Sequence, residues 1–350
     1  MIKEAIQKLV LRQDLTEKEA IEVMTEIMSG QTTESQIAGY ITALRMKGET
    51  VDEITASAKV MRQFCIPVRT QSSSVDIARD DINIDRETIL DTCGTGGDNT
   101  KTFNISTATA FVVAGAGIPV AKHGNRSVSS VCGSADVIES LGVKLDLTQE
   151  KAQECLSKCG IVFLFAPIWH GSMKYALGPR RQLGIRTIFN ILGPLCNPAN
   201  TTAQVLGVYS SELVDTLVKV LQNLGLKHAF VVHGVDSLDE ISITGETKVA
   251  ELVNKGIKNY TITPEQFGIK RAELKDIKGG DVKQNAEIIL KILSGEKGPK
   301  RDIVLMNASV ALMAADKVTD FKDGINLAEK SIDSGAAMKK LTLIKEFTSK

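Results

Sequence analysis

The sequence DTCGTGGDNTKTFNISTATAFVVAGAGIPVAKHGNRSVSSVCGS, residues 91–134, places a glycine cluster between a short apolar run and a long segment of small apolar residues. This order predicts a strand, a glycine loop and a helix. Gly94, Gly96 and Gly97 let the backbone turn tightly and bring its N–H groups close to a ligand. Because the following helix N-terminus adds a partial positive charge, we expect the loop to bind phosphate, although a purely structural turn would also use these glycines.

A second loop suited to anions follows the next strand-like run, at residues 118–121. Residues 122–130 (KHGNRSVSS) contain three cationic or potentially cationic side chains and three serines. The alternative is a solvated surface loop, since charged side chains are usually exposed.

Strand-like and helix-like segments alternate from residue 89 onwards, which predicts an α/β fold with a mainly parallel central sheet flanked by helices. Ligands in such sheets bind beyond the carboxyl ends of the strands, where both loops lie. A β-rich stretch (241–263) and helices from 282 to the end follow. The predicted strands are 89–92, 118–121, 161–166, 203–209 and 229–233, and the predicted helices are 106–116, 135–141, 149–158 and 211–224.

The first 65 residues predict helices with clear starts, because capping boxes begin at Thr16, Thr33 and Thr50. We expect a smaller all-helical domain from residues 1–70 together with about 170–190, a basic segment that returns to it. Residues 71–169 and 191–350 would form the α/β domain. Residues 68–86 are predicted to be a surface loop or linker.

The composition excludes several classes of protein. The 42 basic and 42 acidic residues cancel, so no bulk attraction to nucleic acid or an anionic membrane is expected. No stretch reaches the roughly 18 apolar residues that a membrane span needs, and the N-terminus lacks the apolar core of a signal peptide. We therefore expect a cytoplasmic protein. The six cysteines show no zinc-type spacing and are expected to be reduced.

Several side chains outside the glycine cluster are candidates for binding. Thr102, Asn104, Ser106 and Thr107 supply hydroxyls and an amide at a helix start, where they would suit phosphate or a metal, or simply cap the helix. The adjacent acids Asp239 and Glu240 suit Mg²⁺, and an exposed acidic turn is the alternative. Arg180 could grip a carboxylate with two hydrogen bonds, or be an ordinary surface arginine.

Taken together, these motifs resemble the anthranilate phosphoribosyltransferase family of tryptophan biosynthesis. Pyrimidine-nucleoside phosphorylases are similar in the glycine and lysine loops but are not expected to carry the full set. The resemblance covers nearly the whole chain and rests on GTGGD (94–98), FNIST (103–107), KHGNRSVSS (122–130), GSAD (133–136), RTIFNILGPLCNPA (186–199), HGVDSLDE (233–240) and MNASVAL (306–312).

The resemblance implies a nucleoside phosphorylase/phosphoribosyltransferase-like fold, a homodimer formed through the helical domain, and transfer of the phosphoribosyl group of phosphoribosyl pyrophosphate to anthranilate. It implies two Mg²⁺ ions per subunit, held by Ser106, Asp239 and Glu240. No acid or base catalyst is implied, and Lys122, Asn125 and Arg180 would position the substrates. The implied substrate-binding residues are Gly94, Gly97, Asp98, Thr102, Asn104, Ile105, Ser106, Thr107, Lys122, His123, Gly124, Asn125, Arg126, Ser127, Val128, Ser129, Ser130, Ser134, His170 and Arg180.

Within that set, Gly94, Asn125 and Arg180 would contact anthranilate, and His123 and His170 would line its approach. The sequence departs from the family pattern at Asn99 and Ser237, where glycine is usual, and in its longer linker. Because Asn and Ser tolerate turn conformations, we expect both turns to be kept. The alternatives are a phosphorylase acting on pyrimidine nucleosides and a non-catalytic relative that binds nucleic acid through the same site.

Overall fold

The computed structural model describes residues 1–68, 88–98, 100–126 and 132–350. Nearly all of the expected linker, Asn99 and the loop residues Ser127, Val128, Ser129 and Ser130 lie outside the described residues. In the part that is described, no helix is long and apolar enough to cross a membrane.

Four helices open the chain, and the last three begin where the capping boxes predict. Each threonine cap accepts a hydrogen bond from the third helical residue, whose side chain bonds back to the cap. These reciprocal bonds satisfy N–H groups that a helix start otherwise leaves unpaired. The helices are α1 (Ile2–Val10), α2 (Glu17–Met28), α3 (Glu34–Lys47) and α4 (Val51–Gln63).

Glu53, the acid of the third capping box, is fully buried. Its carboxylate accepts hydrogen bonds from the backbone N–H of Leu15 at 2.9 Å and of Thr50 at 2.8 Å, and from Lys47 Nζ at 2.9 Å. One side chain therefore caps α4, fixes the turn before α2 and neutralises a buried lysine.

The sheet has seven strands in the order β3-β2-β1-β4-β5-β6-β7. The first five are parallel, and β6 and β7 add an antiparallel hairpin, so the prediction of a mainly parallel sheet is confirmed. The strands are β1 (Leu90–Gly94), β2 (Val120–Gly124), β3 (Ile161–Phe165), β4 (Ala203–Gly207), β5 (His228–Gly234), β6 (Thr247–Val253) and β7 (Gly256–Ile262).

Helices and short 3₁₀ turns connect the strands and cover the sheet. The α-helices after β1 are α5 (Ile105–Gly115), α6 (Ser134–Ser140), α7 (Gln149–Cys159), α8 (Ala166–Trp169), α9 (Lys174–Leu183), α10 (Ile188–Leu192), α11 (Glu212–Asn223), α12 (Val282–Leu293), α13 (Pro299–Ala314), α14 (Phe321–Asp333) and α15 (Ala336–Ser349). The 3₁₀ turns are Gly171–Met173, Gly193–Leu195, Pro264–Phe267 and Leu274–Ile277.

Two hydrophobic cores lie on opposite faces of the sheet. On β5, Phe230 and Val232 belong to one core, whereas Ala229 and Val231 belong to the other, as the two-residue period of a strand requires. The first core includes α5, α13, α14 and α15. The second joins α10 and α11 to the N-terminal helices, so those helices are packed against the sheet domain through a shared core.

The basic segment after β3 returns to the N-terminal helices, because α9 packs against α2 and α3. Two glycines permit this close contact. An added Cβ at Gly178 would lie 2.3 Å from Glu34 Oε1, and one at Gly30 would lie 2.6 Å from the Tyr175 ring. Arg180 lies on α9, and the packing of this helix against α2 and α3 fixes its position.

Some boundaries differ from the sequence-based expectation. Strands β1 and β2 continue to Gly94 and Gly124, because their ladders with β4 and β3 extend that far, and such long-range pairing is not visible locally. Residues 241–246 are not strand; the β-rich stretch is the hairpin of β6 and β7, joined by a two-residue turn. Ser237 has a φ of +63°, so the turn keeps the left-handed conformation that the expected glycine pattern implies.

We predict that Glu53→Ala lowers the free energy of unfolding by at least about 2 kcal/mol, because it leaves the N–H groups of Leu15 and Thr50 without their acceptor and leaves Lys47 with only Asp14 to offset its charge. Urea unfolding followed by circular dichroism measures the change. The matched control is Glu17→Ala, which breaks an ion pair with Lys59 in which both side chains are more than 40% exposed. Such a pair contributes about 0–1 kcal/mol. Equal shifts in the two variants would contradict the role given to Glu53.

Candidate active site

The predicted loops meet where the strand order reverses. From β1 the chain proceeds to β2 and β3 on one side, then crosses back to β4 on the other side of β1. Ligands of open α/β sheets bind at such a reversal, outside the carboxyl ends of the strands. The last residues of the two central strands, Gly94 and Gly207, are paired in register at this edge.

Asp239 lies directly against this pair of glycines. An added Cβ would fall 2.2 Å from Asp239 Oδ2 at Gly94, and 1.6 Å from the Asp239 carbonyl oxygen at Gly207. The backbone N–H of Gly96 donates to Asp239 Oδ2 at 2.7 Å. Glycine is therefore required at both strand ends for the acidic turn after β5 to reach the glycine loop.

Glu240 faces the start of α5, where its Oε1 accepts a hydrogen bond from the backbone N–H of Ser106 at 3.0 Å. Burial raises the pKa of both Asp239 and Glu240 well above the usual carboxyl range, and the proximity of further carboxylates, including Asp98, raises it more. Two such acids beside a hydroxyl form a hard, oxygen-rich site that favours a divalent cation. The residues present therefore fit Mg²⁺.

The acids would not hold a metal alone. Among residues 1–68, 88–98, 100–126 and 132–350, no group of three or more His, Cys, Asp or Glu side chains could hold a metal ion. A cation here would need oxygens from a ligand or from water. This is the usual arrangement for Mg²⁺ that bridges phosphates.

Lys122 supplies a buried positive charge between the two loops. Its Nζ donates to the Thr92 carbonyl at 2.5 Å and to Ser106 Oγ at 3.0 Å. Burial lowers the pKa of this ammonium group, and the Asp91 carboxylate opposes that effect. The side chain thus lies beside the start of α5, next to the hydroxyl that is expected to bind metal.

Asp91 and Asn197 fix the strand that carries Lys122. The Asp91 carboxylate accepts from the backbone N–H of His123 at 3.3 Å and from Asn197 Nδ2 at 2.8 Å. Asn197 Nδ2 also donates to the Ala121 carbonyl at 2.7 Å. This buried bridge between β1, β2 and the turn before β4 places Lys122 in register.

The residues between the glycine loop and α5 have different roles. Thr102 forms an isolated bridge with Lys278, and Ile105 is buried in the core. The Asn104 side chain is occupied at both ends: its Nδ2 donates to the Cys132 carbonyl at 3.2 Å, and its Oδ1 accepts from Asn285 Nδ2 at 3.3 Å.

Two further residues of the predicted site, Asp98 and Thr107, lie on either side of this stretch. Thr107 Oγ1 is buried without a hydrogen-bond partner in the described part of the chain. The Asp98 carboxylate accepts hydrogen bonds from the backbone N–H and the hydroxyl of Thr100.

The described ends of the basic loop are packed together. An added Cβ at Gly124 would lie 2.3 Å from Ser134 Oγ, and that hydroxyl donates to the Asn125 carbonyl at 3.4 Å. Arg126 Nη1 pairs with Asp136 at 2.8 Å and Glu139 at 2.9 Å. The charge of Arg126 is therefore neutralised by two carboxylates, which the sequence did not predict.

His123 and His170 lie together, with ring centroids 5.1 Å apart. Burial lowers the pKa of His123 to about 3 and that of His170 to about 4, so both rings are neutral at pH 7. His123 Nδ1 donates to the Gly193 carbonyl at 3.2 Å. Within the described residues both Nε2 atoms are buried and without a partner, which marks a polar surface that a ligand or water would satisfy.

Arg180 projects from α9 with its guanidinium over the Phe189 ring, 5.4 Å from the centroid. Partial burial lowers its pKa from the usual guanidinium range. No carboxylate lies within 4 Å of it among the residues that the structure describes. A partly buried arginine that has no carboxylate beside it in the described residues is suited to bind an incoming carboxylate.

Four residues at the site were missed by sequence reasoning. They are Gly207, whose place beside Asp239 depends on strand register; Asn197 and Asn285, whose hydrogen bonds join distant parts of the chain; and Arg186, which contacts the glycine loop. Asn197 and Arg186 lie within the motif at 186–199, so the motif itself was the available signal. Gly207 and Asn285 gave no comparable signal.

Family comparisons cover both parts of the chain. Residues 3–65 match the helical bundle domain of a glycosyl transferase family, and residues 86–338 match its α/β domain. The chain is 58% identical over 349 residues to anthranilate phosphoribosyltransferase of Citrifermentans bemidjiense, covering all of this chain and 99% of that protein. It is 57% identical to the enzyme of the same name from Geotalea uraniireducens, with full coverage of both chains.

Solved structures agree with this likeness. Anthranilate phosphoribosyltransferase of Thermus thermophilus superposes with a TM-score of 0.90 at 40% identity, covering 99% of each chain. The Saccharomyces cerevisiae enzyme, solved in complex with PRPP and Mg, gives 0.87 at 29% identity, covering 99% of this chain and 98% of that one. The same yeast enzyme has also been solved with 4-fluoroanthranilate, with a TM-score of 0.85 at 28% identity, covering 99% of this chain and 98% of that one.

Proposed function

Because the chain belongs to the anthranilate phosphoribosyltransferase family, we propose that its two substrates meet at the carboxyl edge of β1, β2, β4 and β5. The reaction transfers the phosphoribosyl group of phosphoribosyl pyrophosphate (PRPP) to the amine of anthranilate, and releases pyrophosphate and N-(5-phosphoribosyl)anthranilate, a step of tryptophan biosynthesis. The observation that carries the placement is the contact of Asp239 and Glu240 with the glycine loop and the start of α5.

The donor substrate would lie between the glycine loop and Lys122. Gly96 and Gly97 have φ values of +66° and +78°, which let the loop turn tightly. Because the Gly96 N–H donates to Asp239, the N–H groups of Gly97 and Asp98 would be the ones that face the phosphates. Lys122, the hydroxyls of Ser106 and Thr107, and Ser134 would contact the remaining phosphate oxygens. The contribution of residues 127–130 to phosphate binding stays a prediction from the family resemblance.

Ser106, Asp239 and Glu240 would hold Mg²⁺, two ions per subunit by the family resemblance. Bound there, Mg²⁺ would neutralise charge on the departing pyrophosphate. The protein contributes the fixed orientation of its ligands: Gly96 N–H holds Asp239, and Ser106 N–H holds Glu240.

The acceptor would enter beside Arg180, Asn125 and Gly94. The unpaired guanidinium would bind the anthranilate carboxylate, and the neutral His123 and His170 would line the approach. Neutral rings here avoid adding positive charge where the ribose C1 becomes electron-deficient.

Catalysis depends more on positioning the two substrates than on proton transfer to or from a side chain. The aromatic amine is already neutral at pH 7, so its lone pair can form the bond to C1 while the C1–O bond to pyrophosphate breaks, and the amine proton passes to solvent. Holding the amine near C1 supplies up to about 7–11 kcal/mol in favourable cases. Lys122 stabilises the negative charge on the leaving group.

We also propose a cytoplasmic homodimer formed through the helical domain. Val10, Leu11 and Met46 are each more than 60% exposed at neighbouring ends of α1 and α3, where Arg12 Nη1 donates to the Met46 carbonyl at 3.2 Å. Large exposed apolar side chains that lie together favour burial against a second surface.

A fluorescence assay tests the function. Anthranilate fluorescence should fall when PRPP and Mg²⁺ are added together, and should stay constant when either is withheld. Phosphate-dependent release of uracil from uridine, with no loss of anthranilate fluorescence, would instead identify a pyrimidine-nucleoside phosphorylase.

We predict that Arg180→Ala raises the anthranilate KM about ten- to a hundredfold, because a charge-assisted hydrogen bond contributes about 1.5–3 kcal/mol. The KM for PRPP should change little. Steady-state kinetics with each substrate varied in turn measures both constants. The control is Arg181→Ala, since Arg181 is the exposed neighbour on the same helix. An unchanged anthranilate KM in Arg180→Ala would refute the carboxylate contact.

We predict that the double variant Asp239→Asn with Glu240→Gln lowers Mg²⁺-dependent turnover by at least about a hundredfold, because neutral amide oxygens lack the negative charge with which carboxylates hold Mg²⁺. Its metal-free melting temperature should equal or exceed that of the wild type, since two raised-pKa acids are removed. Turnover and differential scanning fluorimetry provide the two measurements. Asp236→Asn changes an exposed acid of the same turn and is the control. Undiminished turnover would exclude the metal role.

A further inference from the structure

Arg186 ties the glycine loop to the segment between α9 and α10. Its Nη2 donates a hydrogen bond to the Gly97 carbonyl, and an added Cβ at Gly97 would lie 3.2 Å from Nη2. Arg186 is only half-buried, and it stands six residues after Arg180. The segment that contacts the proposed donor loop therefore directly follows α9, the helix that carries the proposed acceptor-binding arginine.

The ring of Tyr209 supports this guanidinium from beneath. The Arg186 Cζ lies 4.3 Å from the ring centroid, within the range of a cation–π contact. Tyr209 follows β4, and its backbone N–H donates to Thr95 Oγ1 at 3.1 Å, while Thr95 N–H donates to the Gly207 carbonyl at 2.9 Å. The platform under Arg186 is thus part of the scaffold that holds the glycine loop.

The hydrogen bond to Gly97 fixes the direction of a peptide group. In a trans peptide the C=O and the following N–H point to opposite sides, so a Gly97 carbonyl held by Arg186 turns the Asp98 N–H away from it. Gly97 is at φ +78°, a conformation that glycine can leave at little cost, so the loop needs an external restraint to keep one orientation.

The positive charge of Arg186 is also not neutralised by a carboxylate in the described part of the chain. Among the described residues, no carboxylate lies within 4 Å of its guanidinium. A cation held over an aromatic ring keeps its field, in contrast to Arg126, which is paired with two acids. The glycine loop therefore has a cation beside it that no carboxylate of the described residues compensates.

We propose that Arg186 is a positioning residue for the donor substrate: held by Tyr209, it locks the Gly97–Asp98 peptide so that the Asp98 N–H faces the pyrophosphate. This inference rests on the proposed function. It predicts a selective effect on PRPP, because the contact concerns the glycine loop and leaves Arg180 in place.

The test compares Arg186→Gln, Arg186→Lys and Arg186→Ala with the control Arg181→Ala. We expect Arg186→Gln to raise the PRPP KM at least about tenfold while the anthranilate KM changes less than about twofold. Arg186→Lys should be intermediate, since Lys keeps the charge but lacks the planar fork. Guanidinium ion at tens of millimolar should restore PRPP kcat/KM in Arg186→Ala and leave the control unchanged.

Tyr209 provides an independent pair of variants. Tyr209→Phe keeps the aromatic face and should behave as wild type, whereas Tyr209→Leu removes it and should raise the PRPP KM in the same direction as Arg186→Gln. If Arg186→Gln fails to fold, the Tyr209 pair and the guanidinium rescue decide the question.

Titration calorimetry with PRPP and Mg²⁺ separates failure of this inference from failure of the proposed function. If the wild-type enzyme turns over and the PRPP affinity of Arg186→Gln and Tyr209→Leu is unchanged, the role of Arg186 is overturned and the proposed function stays intact. An equal rise in both KM values would also overturn it, since that result indicates general damage. Absence of wild-type turnover and of PRPP binding would overturn the proposed function itself.

Discussion

The close approach of Asp239 to the paired ends of β1 and β4 is the constraint on which the site depends. A side chain at Gly94 or Gly207 would overlap Asp239, and the bond from Gly96 N–H to its carboxylate exists only because both positions are glycine. Strand register brings the two glycines side by side, and the turn after β5 brings the acid over them. The acids proposed to bind metal are in this way attached to the glycine loop rather than merely near it.

That arrangement concentrates charge of both signs in a small, partly buried volume. Asp239 and Glu240 repel each other and resist ionisation there, while Lys122 is held among them by Thr92 and Ser106. In the proposed function a cation and a polyanionic substrate would bring the complementary charges, so binding of both would relieve an unfavourable arrangement that the fold maintains. The stabilising interactions lie elsewhere, in the two cores and in bridges such as Asp91–Asn197.

The N-terminal helices help to position residues at the same edge of the sheet. Glycines 30 and 178 let α9, which carries Arg180, lie against α2 and α3, and the chain continues from α9 into the segment that carries Arg186. One arginine remains without a carboxylate in the described structure, and the other fastens the glycine loop over Tyr209. The proposed donor and acceptor contacts therefore come from one stretch of chain, α9 and the residues that directly follow it.

The sequence by itself determined the features that depend on local chemistry. Capping boxes at Thr16, Thr33 and Thr50 placed three helix starts, and the alternation of apolar runs with glycine and basic loops predicted the parallel sheet and the edge at which those loops gather. Tertiary structure alone decided which residues touch across the chain: Gly207 against Asp239, Asn285 on Asn104, and the two acids that neutralise Arg126. These contacts depend on strand register and helix packing, which are set by the whole core and leave no mark in a local window of sequence.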